Sequence, residues 1–256
     1  MEHAGEAVIA AEEFAAAAFD LDGVVTDTAS VHAAAWKRTF DDFLRSRSRT
    51  AGGPFVPFEL RGDYLAHVDG RPRLEGVRSF LASRGIELPE ERPGADARAM
   101  TVAALGDRKE RYFLDYVRTY GVTAYPSTLA LLAALRRAGI ATAIVSASRN
   151  CAAIVETAGA AGLFDVRVDG GDAERLGLPG KPDPALLTEA ARRMGAPHAR
   201  TAVVEDSLAG VDAGARGGFG LVVGVDRSGQ AAELLAHGAG VVVSDPAELA
   251  VAGVRR

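Results

Sequence analysis

The chain has 256 residues, of which 48% are hydrophobic and 25% are charged. These fractions are those of an ordinary globular protein, and they exclude a wholly disordered or collagen-like chain. The net charge of −5 argues against nucleic acid as a partner, because proteins that bind it over their surface are normally basic. No apolar run approaches the roughly 18–20 residues that a bilayer span needs, so we expect no membrane-spanning segment.

The N-terminus and the cysteine content favour a cytoplasmic location. Residues 1–6 lack the basic segment and the following apolar segment of a secretory signal. Cys151 is the only cysteine and cannot form an intramolecular disulfide, which suits a reducing compartment. We expect residues 1–13 to be an N-terminal tail, poorly ordered over residues 1–10, and we expect the protein to be a monomer.

Residues 14–20 are predicted to form the first strand of a sheet. The four alanines of this run favour a helix by propensity alone. The run is short, however, and it stops at Asp20-Leu21-Asp22-Gly23, which is typical of a buried strand that ends in a turn. We therefore predict that Asp20 ends a strand.

Helical patterns fill the next segment, residues 29–121, and none of it shows the alternation typical of a strand. We expect the arginine-rich run 45–49 to be a solvated, mobile connection, and residues 51–57 to be a loop rich in glycine and proline. The sequence thus predicts a helical domain at 29–121. Its predicted helices are 31–44, 74–84 and 102–120.

From about residue 124 onward, short apolar runs alternate with helical stretches. Uniformly apolar strands separated by helices are typical of a parallel sheet covered on both faces. The predicted fold class is therefore α/β, with a core domain of residues 14–28 and 122–256 that is interrupted by the helical insert. The predicted strands are 141–145, 166–168, 202–204, 221–225 and 241–243, and the predicted helices are 128–138, 151–158, 184–194 and 208–216.

Asp20 and Asp22 lie where the first strand ends, and open α/β sheets bind ligands at that edge. Alternation along an extended segment places both carboxylates on the same side. Two ionised carboxylates about 4 Å apart repel by about 4 kcal/mol at an effective dielectric constant near 20. We therefore expect a divalent metal ion, a lysine, or both beside them. The structural alternative is a solvated turn.

Three further polar groups follow predicted strands. The hydroxyl of Ser146 precedes a helix and could bind an anionic oxygen together with the free helix amides. Lys181 stands before a turn with two prolines and could supply a fixed cation, while Glu205 and Asp206 offer the oxygen ligands that suit Mg²⁺. Each group alone could be structural: a helix cap or a surface lysine. Their position at successive strand ends favours one common site.

The order Asp-x-Asp-Gly, Ser, Lys and Glu-Asp resembles the haloacid dehalogenase superfamily of phosphoryl-transfer enzymes. That resemblance implies a Rossmann-like parallel sheet with an inserted helical cap. It implies that Asp20 is the nucleophile that forms an aspartyl-phosphate, and that Asp22 is the general acid and base. The dehalogenase branch is disfavoured, because it lacks an aspartate at the second position. The implied phosphoryl-binding residues are Ser146 and Lys181, and the implied Mg²⁺ ligands are Asp20, the backbone carbonyl of Asp22, and Asp206 with Glu205 nearby.

Within the superfamily, residues 27–37 are similar to the β-phosphoglucomutase subgroup, which carries Thr, His, Trp and Lys at this spacing. Residues 70–77 and 146–150 are also similar to that subgroup. A mutase must hold a sugar bisphosphate by both ends, so its cap needs a cation; Arg73 is the implied residue and Arg71 the alternative. His32 could equally be a helix-surface histidine, and Trp36 a core aromatic. The implied substrate-binding residues are Arg73, Lys109, Ser148, Asn150, His32, Thr28 and Trp36.

The resemblance implies a Mg²⁺-dependent phosphomutase. It would interconvert β-glucose 1-phosphate and glucose 6-phosphate through a bisphosphate and a phosphorylated Asp20. A sugar-phosphate phosphatase of the same architecture is the alternative, with water as the acceptor. A phospho-ligand-binding module without catalysis is a third interpretation, which the intact Asp20, Asp22, Lys181 and Asp206 disfavour. The expected partner is a small sugar phosphate, with no nucleic acid and no membrane.

Overall fold

The computed structural model describes residues 7–91 and 100–253. The chain divides into two compact units: a first unit that runs up to Thr28 and resumes at Val122, and a second unit, Ala29–Gly121. Eight strands lie in the described part of the chain. They are β1 Ala7–Ala10, β2 Ala16–Asp20, β3 Ala141–Val145, β4 Val166–Val168, β5 Thr201–Glu205, β6 Leu221–Val225, β7 Val241–Val243 and β8 Leu249–Ala252.

Six of these strands form one parallel sheet in the order β4-β3-β2-β5-β6-β7. β2 pairs with β3 on one side and with β5 on the other. The chain therefore builds the sheet outward from β2 in both directions. Ligands of such sheets bind at the carboxyl ends of the strands, where the direction of building reverses. This topology confirms the predicted α/β class and directs attention to the ends of β2 and β5.

β2 is a strand in spite of its alanine-rich sequence. Ala16, Ala17 and Ala18 are fully buried, and Ala18 lies opposite Ala143 of β3 and Val203 of β5. A central strand is enclosed by neighbours on both edges, so its backbone hydrogen bonds and burial outweigh the weak helix propensity of alanine. The predicted first strand is thus confirmed, with its end at Asp20.

The second unit is helical, and no strand occurs in its described residues, 29–91 and 100–121. Its core is rich in aromatic side chains, including Trp36, Phe40, Phe58 and Phe80, whose rings pack on one another. The predicted helical content is confirmed. The helices are α1 Ala29–Ala51, α2 Leu65–His67, α3 Arg73–Ser83 and α4 Val102–Tyr120, with a π-helical turn at Leu60–Tyr64.

The prediction for the arginine-rich run 45–49 was wrong in one respect. Its arginines are exposed, as expected, but the run continues α1 rather than forming a mobile connection. Arginine is among the better helix formers, so a solvated basic run extends a helix at little cost. The irregular segment begins after α1 and covers residues 52–59.

The helices of the first unit pack on the main sheet. Leu186 and Leu187 of α8 and Val211 of α9 share a buried cluster with Ala18 of β2 and Val203 of β5. None of the described helices is long and apolar enough to cross a membrane. The helices are α5 Pro126–Arg137, α6 Cys151–Thr157, α7 Gly170–Leu176, α8 Ala185–Met194, α9 Leu208–Arg216 and α10 Ala231–Ala236, with short 3₁₀ turns at Ala161–Leu163, His198–Arg200 and Pro246–Glu248.

The prediction of a poorly ordered N-terminal tail was wrong for residues 7–10. These residues form β1, which pairs in parallel with β8 near the C-terminal end of the chain. Ile9 of β1 is fully buried. Burial of this side chain and pairing of the strand compensate the entropy of ordering the segment. Residues 1–6 lie outside the described part of the chain.

Candidate active site

Three carboxylates meet at the carboxyl ends of β2 and β5. Asp20 ends β2, Glu205 ends the adjacent β5, and Asp206 follows directly. One carboxylate oxygen from each of them lies within 4.8 Å of those of the other two. Strand pairing alone explains this convergence, because neighbouring parallel strands end at the same edge of the sheet. The sheet therefore brings Asp20 close to two acids that lie 185 residues or more further along the sequence (205 − 20).

Lys181 lies between two of these carboxylates. Its Nζ donates hydrogen bonds to Asp20 Oδ1 and Glu205 Oε1, and the residue is only 1% exposed. Burial by itself lowers the pKa of Lys181, but the charges of Asp20 and Glu205 outweigh burial and raise this pKa above its ordinary value. The ammonium group is therefore charged at neutral pH and holds both carboxylates in place.

Asp20 is held at both of its oxygens. Besides the bond from Lys181, its Oδ2 accepts a hydrogen bond of 2.9 Å from the backbone N–H of Asp22. Burial, together with the charges of Glu205 and Asp22, raises the pKa of Asp20 well above its ordinary value, although Lys181 acts in the opposite direction. One lysine thus does not neutralise the site, and a second cation would offset the remaining negative charge.

The donor set fits a hard divalent cation. Asp20, Glu205 and Asp206 offer only oxygen ligands, and Mg²⁺ binds through one or two carboxylates together with water and phosphate oxygens. Three carboxylates share this place with the single ammonium group of Lys181, so a divalent cation would balance their charge. The residues present therefore fit Mg²⁺.

Besides its bond from Lys181, Glu205 is held by residues at the start of α9. Its Oε2 accepts a hydrogen bond of 3.1 Å from the hydroxyl of Ser207, whose oxygen in turn accepts one from the N–H of Gly210. A Cβ atom at Gly210 would lie 2.0 Å from the Glu205 carboxyl carbon. Glycine is therefore required there for α9 to pack against the carboxylate. Gly210 could not be predicted from the sequence, since a glycine within a helical pattern does not indicate which distant residue it contacts.

The Asp22 carboxylate is held by the segment that follows it. Gly23 takes a positive φ of 87°, which turns the chain back after Asp22. The hydroxyl of Thr28 donates to Asp22 Oδ1, and the Thr28 and Thr26 hydroxyls are 2.7 Å apart. Thr28, predicted to bind substrate, is thus a buried hydrogen-bond partner of Asp22.

Ser146 lies at the end of β3, which is the other neighbour of β2. It is 1% exposed, and its Oγ accepts a hydrogen bond of 3.1 Å from the Ser148 N–H. The Ser148 hydroxyl accepts in turn from the Asn150 N–H at 3.1 Å. A Cβ atom at Gly170 would lie 2.5 Å from the Ala147 carbonyl oxygen, so the backbone after β4 presses directly on this loop. The loop is therefore a rigid, polar edge of the site.

Other predicted substrate residues lie in the second unit. Lys109 is buried there, with its Nζ 2.5 Å from His32 Nδ1 and 4.9 Å from the centre of the Phe113 ring. The His32 ring packs 4.0 Å from Phe113, so it is not the surface histidine of the alternative interpretation. Trp36 is 4% exposed and stacks on Phe40 in the aromatic core. Of the two interpretations of Trp36, the core aromatic is the one that the structure shows.

Arg73, the expected cap cation, is engaged by acidic neighbours of the same unit. Its Nη1 lies 2.8 Å from Glu110, and its Nη2 lies 3.9 Å from Asp107. A Cβ atom at Gly106 would lie 3.4 Å from Arg73 Nε, so α4 and the start of α3 are close together. A substrate phosphate would have to compete with Glu110 for this guanidinium. The alternative residue, Arg71, is half-buried.

Comparisons with known proteins show the family to which the chain belongs. A family model described as haloacid dehalogenase-like hydrolase matches residues 14–218. A protein named beta-phosphoglucomutase from Mycobacterium tuberculosis is 44% identical over 241 residues, which cover 93% of this chain and 92% of that protein. Hexitol phosphatase A from Escherichia coli is 31% identical over 201 residues, 78% of each chain.

A solved structure of beta-phosphoglucomutase from Clostridium difficile shares the fold. It superposes with a TM-score of 0.71 at 23% sequence identity and covers 92% of each chain. The family model spans most of the chain and includes the ends of β2, β3 and β5, where the polar groups of the site lie. The chain therefore belongs to the haloacid dehalogenase-like hydrolase family, and within that family it is similar to the β-phosphoglucomutases.

Proposed function

We propose that this enzyme is a Mg²⁺-dependent β-phosphoglucomutase that interconverts β-glucose 1-phosphate and glucose 6-phosphate through a sugar bisphosphate. The observation that carries the proposal is the buried Lys181 between Asp20 and Glu205, with Asp206 beside them. The 44% identity to a protein named beta-phosphoglucomutase over 93% of the chain supports this choice of reaction.

In this proposal Asp20 is the nucleophile. One of its oxygens attacks phosphorus, and the bond from phosphorus to the leaving oxygen breaks, which leaves an aspartyl-phosphate. A carboxylate is a weak nucleophile, but covalent capture divides one difficult transfer into two easier steps. The hydrogen bonds from Lys181 and from the Asp22 N–H orient the Asp20 carboxylate. The charge of Lys181 also stabilises the negative charge that spreads over the phosphoryl oxygens.

Asp22 is the proposed general acid and base. It protonates the leaving sugar oxygen and, in the second half of the reaction, removes a proton from the attacking hydroxyl. The bond from Thr28 fixes the orientation of the Asp22 carboxylate. Ser146, at the neighbouring strand end, is proposed to donate to a phosphoryl oxygen.

Asp20, Asp206 and the backbone carbonyl of Asp22 would hold Mg²⁺. When bound, this ion supplies positive charge to the transferring phosphoryl group and to the crowded carboxylates. Glu205, which lies beside these Mg²⁺ ligands, is proposed to act on Lys181. Because one of its oxygens accepts from Lys181 and the other from Ser207, Glu205 orients Lys181.

The second phosphate of the bisphosphate and the sugar hydroxyls are assigned to the remaining candidates. Arg73 would bind the phosphate that is not reacting, after exchanging Glu110 for it. Lys109, Ser148, Asn150 and His32 are proposed to contact sugar hydroxyls or phosphate. Thr28 and Trp36 act through Asp22 and through the aromatic core, respectively.

A sugar-phosphate phosphatase is the second candidate. Two observations favour it: Arg73 is occupied by Glu110, and the chain is 31% identical to hexitol phosphatase A. In this case water replaces the sugar hydroxyl as acceptor of the phosphoryl group, and Asp20, Asp22 and Lys181 keep their roles. The two candidates therefore differ only in the fate of the phosphoryl group.

The product ratio separates these candidates. The enzyme is supplied with β-glucose 1-phosphate, Mg²⁺ and a trace of glucose 1,6-bisphosphate, and glucose 6-phosphate is measured against free phosphate. We expect glucose 6-phosphate as the main product; free phosphate as the main product would contradict the mutase. Asp20→Asn should abolish turnover of every substrate, while Asp212→Asn, whose carboxylate pairs with Arg216 and His237 outside the proposed site, should retain it. Substantial turnover by Asp20→Asn would exclude the covalent route.

A further inference from the structure

Arg227 connects the end of β6 to the turn that follows the proposed nucleophile. Its Nε donates a hydrogen bond of 2.9 Å to the Gly23 carbonyl oxygen, and its guanidinium lies 4.0 Å from the centre of the Tyr125 ring. Its Nη1 reaches the Ser244 carbonyl oxygen at 3.3 Å and Asp245 Oδ2 at 3.5 Å. The side chain is 22% exposed. This arginine is not among the site residues predicted from the sequence.

Gly23 and Tyr125, which contact the guanidinium, belong to two segments that are paired with each other. The Asp27 N–H donates to the Thr123 carbonyl oxygen at 2.9 Å, and the Tyr125 N–H donates to the Val25 carbonyl oxygen at 3.0 Å. The first segment ends where the chain leaves the first unit, after Thr28, and the second begins where the chain returns to that unit, at Val122. Arg227 therefore contacts both segments at once, from the loop after β6, which belongs to neither.

The position of the Arg227 side chain costs free energy, because one of its hydrogen-bond donors is buried without an acceptor in the described part of the chain. Its Nη2 is buried and meets no hydrogen-bond acceptor among the residues that the structure describes. A buried donor without an acceptor costs about 1–3 kcal/mol. An arginine that served only solubility would turn this group toward water. The contacts of the guanidinium with Gly23 and Tyr125 are therefore the interactions that explain its orientation.

We propose that Arg227 is a positioning residue for Asp22: by holding the Gly23 carbonyl and the Tyr125 ring, it fixes the turn that presents the Asp22 carboxylate to the leaving oxygen. This inference rests on the proposed function. Gly23 follows Asp22 directly, and the Gly23 N–H donates to the Thr26 carbonyl oxygen at 2.8 Å, so both sides of this residue are held. A shift of the Gly23 peptide changes the direction of the Asp22 side chain.

Lysine cannot replace this arginine. The guanidinium is planar and rigid, so it can donate to Gly23 and Ser244 while its face stacks on Tyr125. A lysine ammonium is a flexible point charge that would retain at most part of these contacts. Arg227→Lys keeps the charge and is a mild change for folding. It therefore tests the geometry of the contact rather than its charge.

The test compares two leaving groups in single-turnover phosphorylation of the enzyme with Mg²⁺. The p-nitrophenolate of p-nitrophenyl phosphate departs without a proton, whereas the sugar oxygen of glucose 1,6-bisphosphate needs one from Asp22. Arg227→Lys and Arg227→Ala should slow phosphorylation from the bisphosphate roughly 10- to 100-fold, as expected for a misplaced acid. Release of p-nitrophenolate should stay nearly unchanged.

Arg200 is a matched control. It also donates from its guanidinium to two backbone carbonyls, those of Glu13 and Glu12 at 3.1 Å each, but it precedes β5 at the opposite edge of the sheet. Arg200→Lys should leave both rates unchanged. Equal losses for the two leaving groups in Arg227→Lys would overturn the positioning role and leave the proposed function intact. A wild-type enzyme that is phosphorylated by neither compound would overturn the proposed function itself, and this inference with it.

Discussion

A lysine with almost no contact to solvent is stable only beside acidic partners, and Lys181 has two of them, Asp20 and Glu205. Replacing Lys181 with methionine leaves two carboxylates close together without their ammonium partner. Removal of one member of a buried ionic group costs about 3–5 kcal/mol, so Lys181→Met should lower the free energy of unfolding by that amount. Urea denaturation at pH 7 measures this loss.

The double variant Lys181→Met with Glu205→Gln provides the control. It removes one of the two carboxylates that repel each other, so it should recover part of the stability but none of the activity. Recovery of activity would contradict the role of Lys181.

The contribution of Lys181 to stability depends on pH with a definite sign. Because the pKa of Lys181 is raised in the folded state, its contribution is full below the ordinary value of 10.5 and is lost only at more alkaline pH.

A second prediction at this scale concerns Asp206 and the metal ion. A ligand that binds only the folded state stabilises it by about 2.7 kcal/mol at a concentration 100 times its Kd. Mg²⁺ should therefore raise the Tm of the metal-free protein, measured by calorimetry, and a chelator should reverse the rise. Asp206→Asn should lose most of this response, whereas Asp212→Asn, outside the proposed metal site, should keep it. An unchanged response in Asp206→Asn would remove this residue from the metal site.

Among the helices, α7 and α8 are joined by an ion-pair network around Asp172. Its carboxylate accepts from Arg193 of α8 at 2.9 Å and from Arg175 of α7 at 2.5 Å. Hydrogen bonding from Arg193, with a further bond from Arg175, lowers the pKa of Asp172 to about 2. A lowered pKa means that the carboxylate stabilises the fold above its ordinary value of 3.8, and that this contribution is lost as the pH falls toward 2.

Asp172→Asn should therefore destabilise the protein by about 1.5–3 kcal/mol at pH 7, the range for hydrogen bonds to charged groups. The difference from wild type should shrink as the pH falls below 4, as measured by urea denaturation across that range. Glu174→Gln on the same helix is the control. Its partner Arg149 and Glu174 itself are both more than half exposed, so this change should have little effect at any pH. An Asp172→Asn deficit that is independent of pH would contradict the charge-based account.

On the scale of the whole molecule, the two ends of the described chain are paired through β1 and β8. Ile9 of β1 is fully buried, while its neighbour Val8 is 38% exposed on the other face of the strand. Ile9→Ala should cost about 2–5 kcal/mol of unfolding free energy, as for other buried aliphatic side chains. Val8→Ala should cost much less, and chemical denaturation of both variants gives the comparison. A loss in Ile9→Ala no larger than that in Val8→Ala would contradict burial of Ile9 as the source of the stability that β1 contributes.

The sequence alone predicted the class of the fold and the meeting of the main polar groups. Apolar runs of strand length separated by helical stretches are a local property, and parallel strands necessarily end at one edge. For that reason Asp20, Lys181, Glu205 and Asp206 could be expected in one place before any coordinates existed. The boundaries of α4 and α9 could also be predicted to the residue, since both helices follow a clear amphipathic pattern.

The tertiary structure alone decided which partners these groups have. That Thr28 holds Asp22, that Gly210 admits Glu205, and that Arg73 pairs with Glu110 depend on distances between segments, which no local pattern contains. The strand at Ile9 has the same origin, because the pairing partner of Ile9, Val251 of β8, lies 242 residues further along the chain (251 − 9). Local sequence determines what a segment prefers, whereas burial and hydrogen bonding between distant segments determine what it touches.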